Sequence, residues 1–150
     1  MFTYDEMKKK TIEFYKSLGV SVPKKYLKRA VSSLTMPQFA KQYNDVNLEK
    51  INDHRALATV GDEFVGAFYM QNKYKYNSSM GELTKAKKAL KNINLNSIGQ
   101  KLCGEHLFAT NNDLNEKNNK SYATSFEAII GFISLFDLTS AKRVFDEYMK

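Results

Sequence analysis

The apolar residues of this chain recur every three or four positions, and no segment alternates with a period of two. That pattern restricts the chain to packed helices and predicts no strands. The longest run holds Leu48, Ile51, Leu57, Val60, Phe64, Val65, Phe68 and Tyr69 and predicts a helix over about 47–71. A second run predicts a helix over 122–136, through Phe126, Ile129 and Ile130. Helices so rich in Ala, Val, Ile and Phe belong in a core, yet each carries a carboxylate, Asp62 in the first and Glu127 in the second. A buried carboxylate needs a partner. Two core helices that bring one acid each to the same place would offer oxygen ligands to a hard cation. Alternatively each acid is a surface or helix-end residue.

The other elements follow from the same spacing and from caps. Thr3 and Glu6 fit a capping box, which starts a helix that Gly19 ends. Residues 1–22 read as this N-terminal helix and a link, and 23–150 as the core of one domain. Pro23 and Pro37 suit first turns of the next two helices. Residues 72–79 read as a polar, Tyr-rich loop. Ser79 and Glu82 fit a second capping box, and its helix carries Leu83, Ala86 and Leu90. Ile93, Leu95, Ile98 and Leu102 mark a further helix, and Thr139 or Ser140 caps the last one. The segment 111–120 has a single apolar residue and reads as a loop.

A length of 150 residues suits one all-α domain. No run approaches the ~18 apolar residues of a membrane helix, and the first residues lack a signal-peptide pattern, so the expected compartment is the cytoplasm. The single cysteine, Cys103, excludes an internal disulfide and a cysteine-based zinc site, and reads as a small buried hydrophobe. The net charge of +7 favours a polyanionic partner, chiefly nucleic acid.

Two blocks, Gly61-Asp62 and Phe126-Glu127-Ala128, resemble the metal-binding helices of the ribonuclease III family. Gly81-Glu82-Leu83-Thr84-Lys85, followed by Leu90 and Asn94, resembles the helix between them. The likeness runs in family order from about residue 25 to 150. It implies an all-α, ribonuclease III-like helical bundle and a Mg²⁺-dependent endoribonuclease, with Mn²⁺ as a substitute ion. The substrate would be double-stranded or structured RNA. Asp62 and Glu127 would be the catalytic, metal-holding acids, and the protein would act as a homodimer whose two sites face the two strands.

The chain departs from most of the family at Arg55, Ala58 and Thr124, where further acids usually stand. Ala58 and Arg55 share the face of Asp62 at i−4 and i−7, and Thr124 shares that of Glu127 at i−3. In both motifs the chain is similar to Mini-ribonuclease III, a branch that has Ala and Thr at two of these places and no double-stranded-RNA-binding domain. Ala58 and Thr124 would then stand behind the two acids. The alternative is a catalytically inactive RNA-binding or ribosome-associated structural module.

Arg55 either holds a phosphate or pairs with an acid of the site. Glu63 lies about 100° round the helix from Asp62 and is not expected to be a ligand, and Asp53 and Glu49 either reach the site's edge or, the better reading, lie away from it. Lys85, Lys88 and Lys91, with Lys117 and Lys120 further on, either track RNA phosphates or form an ordinary solvated face. His54 and His106 have no metal-ligand spacing and read as core or surface polar residues.

Overall fold

A computed structural model describes residues 2–43, 48–75, 78–114 and 120–149. Helices account for most of them, and among the described residues there is no strand, only an isolated bridge between Thr35 and Phe108. Helix α1 (Tyr4–Ser17) opens on the expected box: Glu6 N–H donates to Thr3 Oγ1 at 3.1 Å and Thr3 N–H to Glu6 Oε1 at 3.2 Å. Gly19 leaves the helix at φ 74°, a conformation that side chains disfavour. Pro23 precedes a 3₁₀ turn, Lys24–Tyr26, which runs into α2 (Leu27–Leu34), and Pro37 opens α3 (Pro37–Gln42).

The helix expected over 47–71 is two helices. Leu48–Ile51 forms the single turn α4, and α5 runs His54–Lys73, beyond the expected end and into the expected 72–79 loop. Asn52 separates them. Its amide donates to Thr35 O at 2.9 Å and its carbonyl lies 3.4 Å from the His54 N–H, so its side chain serves backbone groups on both sides of the break.

Helix α6 (Met80–Leu90) starts at Ser79, which accepts from Glu82 N–H at 3.1 Å. Helix α7 (Leu95–Cys103) starts at Asn94, and α8 (Asn111–Leu114) is a turn of helix where a loop was expected. Thr110 and Asp113 build the reason for it. Asp113 N–H donates to Thr110 Oγ1 at 3.2 Å and Thr110 N–H to Asp113 Oδ2 at 2.8 Å, a reciprocal cap. Helix α9 runs Ser121–Ser134. Helix α10 (Leu138–Tyr148) is capped by Asp137, not by Thr139 or Ser140: Asp137 accepts from Ser140 N–H at 3.0 Å. No helix of the described residues is long and apolar enough to cross a membrane.

The centre of the fold is α9. Phe126, Ala128, Ile129, Ile130, Phe132 and Ile133 are all fully buried, so it is apolar around most of its circumference and must be surrounded. Helices α5, α7, α10 and α2 pack around it. Cys103 is a free, buried thiol, pushed up to about 12 by burial.

Candidate active site

The closest approach in the fold is between α5 and α9, and glycines allow it. A Cβ on Gly61 would stand 1.7 Å from the backbone oxygen of Glu127, and one on Gly131 would stand 2.1 Å from that of Leu57. Neither position admits a side chain without the helices parting. Ala58, one turn before Asp62, is buried, so a methyl group fills this turn of the helix where a longer side chain would need room.

The contact fixes the two acids. Asp62 follows Gly61, whose backbone lies against the backbone of Glu127. Their side chains therefore leave the crossing on the same edge, close enough for the Asp62 carboxylate to act on Glu127. Glu127 is half-buried and Asp62 exposed. Burial first, then the hydrogen bond from Asp62 and its negative charge, pushes the Glu127 carboxyl up to about 8. A carboxyl raised this far keeps its proton to a higher pH than an ordinary glutamate does. That proton relieves the repulsion that a bound cation would otherwise relieve. Glu63, next on α5, is exposed.

The same faces of α5 and α9 run from the acids into a cleft of about 340 Å³. Arg55 and Thr124 line it, seven residues before Asp62 and three before Glu127, and Lys120 stands at the start of α9. Its other side is the first turn of α3, through Pro37 and Gln38. Asp113 is the one acid among the described residues of its wall, and its oxygens are already used. Gln38 N–H donates to Oδ1 at 3.0 Å and Phe39 N–H to Oδ2 at 3.1 Å, which caps α3 from another helix. A second cleft of about 430 Å³ shares Arg55, Pro37 and Gln38 with the first and holds Asp53 and Glu49.

His54 forms the floor. It is fully buried, and burial holds its imidazole below the usual histidine range. Nδ1 lies 3.0 Å from Ser32 O and must donate to it, which leaves Nε2, 3.4 Å from Ser125 Oγ, as an acceptor. His54 is thus a neutral structural group. His106 is exposed and packs on Phe14, with ring centroids 5.0 Å apart.

Of the two roles open to Arg55, the ion pair with a site acid is absent: among the described residues its guanidinium pairs with no carboxylate. Lys85, Lys88 and Lys91 are exposed on or just after α6, which packs on α5, and they lie outside the cleft. Lys120 is on the cleft wall, and Lys117 lies outside the described residues.

Sequence reasoning missed Asp113 as an organiser of the cleft. The signal was present, because Thr110 and Asp113 have the spacing of a capping box inside a segment otherwise read as loop. It also missed Asn96, whose carbonyl oxygen accepts from Tyr122 and Ala123 N–H at 3.0 and 3.1 Å and so caps α9 from α7. No local pattern announces that bond.

The donor set is two carboxylates, and among the described residues no cluster of three or more His, Cys, Asp or Glu side chains is placed to hold a metal. Two carboxylate oxygens suit Mg²⁺, which keeps several waters and shares its shell with phosphate, and not a closed zinc site. Comparison of the chain with protein-family models, with curated proteins and with solved structures finds no match in any of the three.

Proposed function

We propose that this protein is a Mg²⁺-dependent endoribonuclease of the ribonuclease III kind, acting in the cytoplasm on double-stranded or structured RNA. The observation that carries the reading is the placing of Asp62 and Glu127, one acid from each helix, together at the α5–α9 crossing, where Asp62 acts on the Glu127 carboxyl. A fold gains little from two acids forced into contact, and such pairs gather at sites that bind a cation or move a proton. The ion, Mg²⁺ or Mn²⁺, would supply an activated water and charge stabilisation on the phosphate.

The chain's own residues set the stage for that chemistry. Asp62 and Glu127 would hold the ion, and Glu127 would first have to release its proton. Ala58 keeps α5 close to α9. Lys85, Lys88 and Lys91 offer exposed positive charge to phosphates, and the Lys120 and Arg55 side chains offer it beside the acids. Pairing of two copies would present two such sites to the two strands of one duplex. The exposed face of α5 carries Ala56, Val60 and Ala67 for that contact, with Thr59, whose hydroxyl donates to Arg55 O at 3.0 Å, among them.

Incubation of the purified protein with labelled duplex RNA, in Mg²⁺, Mn²⁺ or EDTA, tests the reading. Metal-dependent cutting is expected. Asp62→Asn should abolish it and leave duplex binding intact, because binding rests on the cations. A protein that is monomeric at micromolar concentration by light scattering would remove the two-strand arrangement.

A second reading, an RNA-binding structural module without catalysis, is favoured by one observation. Arg55, Ala58 and Thr124 supply no third acid to the pair. Duplex binding without any metal-dependent cutting would select it.

A further inference from the structure

The cleft beside the acid pair has a composition that the acid pair does not explain. Among the described residues its free charges are both positive, Arg55 on α5 and Lys120 before α9, and both residues are exposed. Neither pairs with a carboxylate among the described residues. Asp113, the only acid among the described residues of its wall, spends its oxygens on the N–H groups of Gln38, Phe39 and Thr110. His54 beneath is neutral and takes no part in the charge balance. Thr124 adds a hydroxyl between the two cations and Glu127. A guanidinium, an ammonium and a hydroxyl around one cleft match the oxygens of a phosphate group.

The spacing fits a strand whose reacting phosphate sits at the acids. Thr124 precedes Glu127 by three residues, a rise of about 4.5 Å, and Arg55 precedes Asp62 by seven, about 10 Å. B-DNA rises about 3.4 Å per nucleotide on one strand and A-form RNA less, so these distances amount to roughly one to three nucleotides.

We infer that the cleft between α3, α5 and α9 is a phosphate-binding site in which Arg55 and Lys120 hold a phosphate one to three nucleotides from the one at Asp62 and Glu127. The inference rests on the nuclease reading for the strand to which the phosphate belongs, and not for the binding itself. Either an internal phosphodiester or a terminal monophosphate supplies the same oxygens.

The test measures duplex RNA affinity against salt for the wild type, Arg55→Ala, Lys120→Ala and the double variant. Duplexes ending in 5′-hydroxyl and in 5′-monophosphate are compared. Each lost contact should flatten the log–log salt slope by about 0.9 and weaken binding about eightfold at 0.1 M salt. Equal losses on both duplexes identify an internal phosphodiester, and a loss confined to the phosphorylated duplex identifies a terminal one. Both residues are exposed, and circular dichroism checks that the variants fold. Titration of the wild type with inorganic phosphate should also shift the backbone amide resonances of Thr124 and Gln38.

An unchanged slope and affinity in the double variant overturns the site, even if the wild type cuts RNA. Flattened slopes in variants of a protein that never cuts RNA leave the site standing and remove the nuclease reading.

Discussion

Glu127→Gln should make the protein more stable, and only on the alkaline side. In the folded state the Glu127 carboxyl titrates at about 8, against an ordinary value of 4.5 in the unfolded chain. The folded state therefore binds the extra proton between those two pH values, and stability falls as pH rises through that window. A gap of about 3.5 units at about 1.4 kcal/mol per unit sets a ceiling of about 5 kcal/mol. Asp62, the partner, is exposed, so water screens the pair and about 2 kcal/mol is the working figure. Glutamine keeps the shape and a donor for Asp62 and cannot ionise. Urea unfolding should give equal stabilities near pH 4.5 and a variant about 2 kcal/mol more stable at pH 8.5, or about 4–8 °C in midpoint for a chain of this size. Mg²⁺ should then stabilise the wild type at pH 8.5, by about 1.4 kcal/mol at ten times its Kd, and leave the variant unmoved. Matching pH profiles in the two proteins would refute the shared proton. A variant that gains as much from Mg²⁺ as the wild type would refute Glu127 as a ligand.

Gly61→Ala forces a methyl group to within 1.7 Å of Glu127 O, so it should cost at least about 3 kcal/mol and separate the two acids. Thermal unfolding of this variant, with the pH profile of Glu127 alongside, checks both effects. Asp113→Ala removes the cap of α3 and the box of α8 together and should cost about 2–3 kcal/mol, read by urea unfolding. His54 titrates below 6.5 when folded, so the unfolded chain takes up its proton first and stability is lost as pH falls through 6.5. In the Glu127→Gln background, where the opposing window is gone, stability should fall by up to about 1.4 kcal/mol per pH unit below pH 6. An additional His54→Gln change should flatten that limb, and an unchanged limb would place the acid sensitivity elsewhere.

The sequence alone determined that the fold is all-α, because period and caps are local properties of the chain. It located α1, α6, α7 and α9 to within a few residues, and it put a carboxylate on each of the two helices that form the core crossing. It could not determine the break at Asn52. Leu48, Ile51 and Leu57 read as one run, and the residues between Ile51 and Leu57 contain no Gly or Pro to mark a stop. What closes that break is a bond from Asn52 to Thr35 O, seventeen residues back in the chain.

The cap on α3 is likewise supplied by Asp113, seventy-five residues from Gln38, and no window along the chain contains both. The sequence offered Arg55 a choice between a phosphate and an acid. Only the tertiary arrangement, with α3 across a cleft from α5 and α9, placed it on a wall with Lys120 and without a carboxylate partner among the described residues. The meeting of Asp62 with Glu127 belongs to tertiary structure for the same reason. Two glycines on different helices must face one another's backbones before the acids beside them can share a proton.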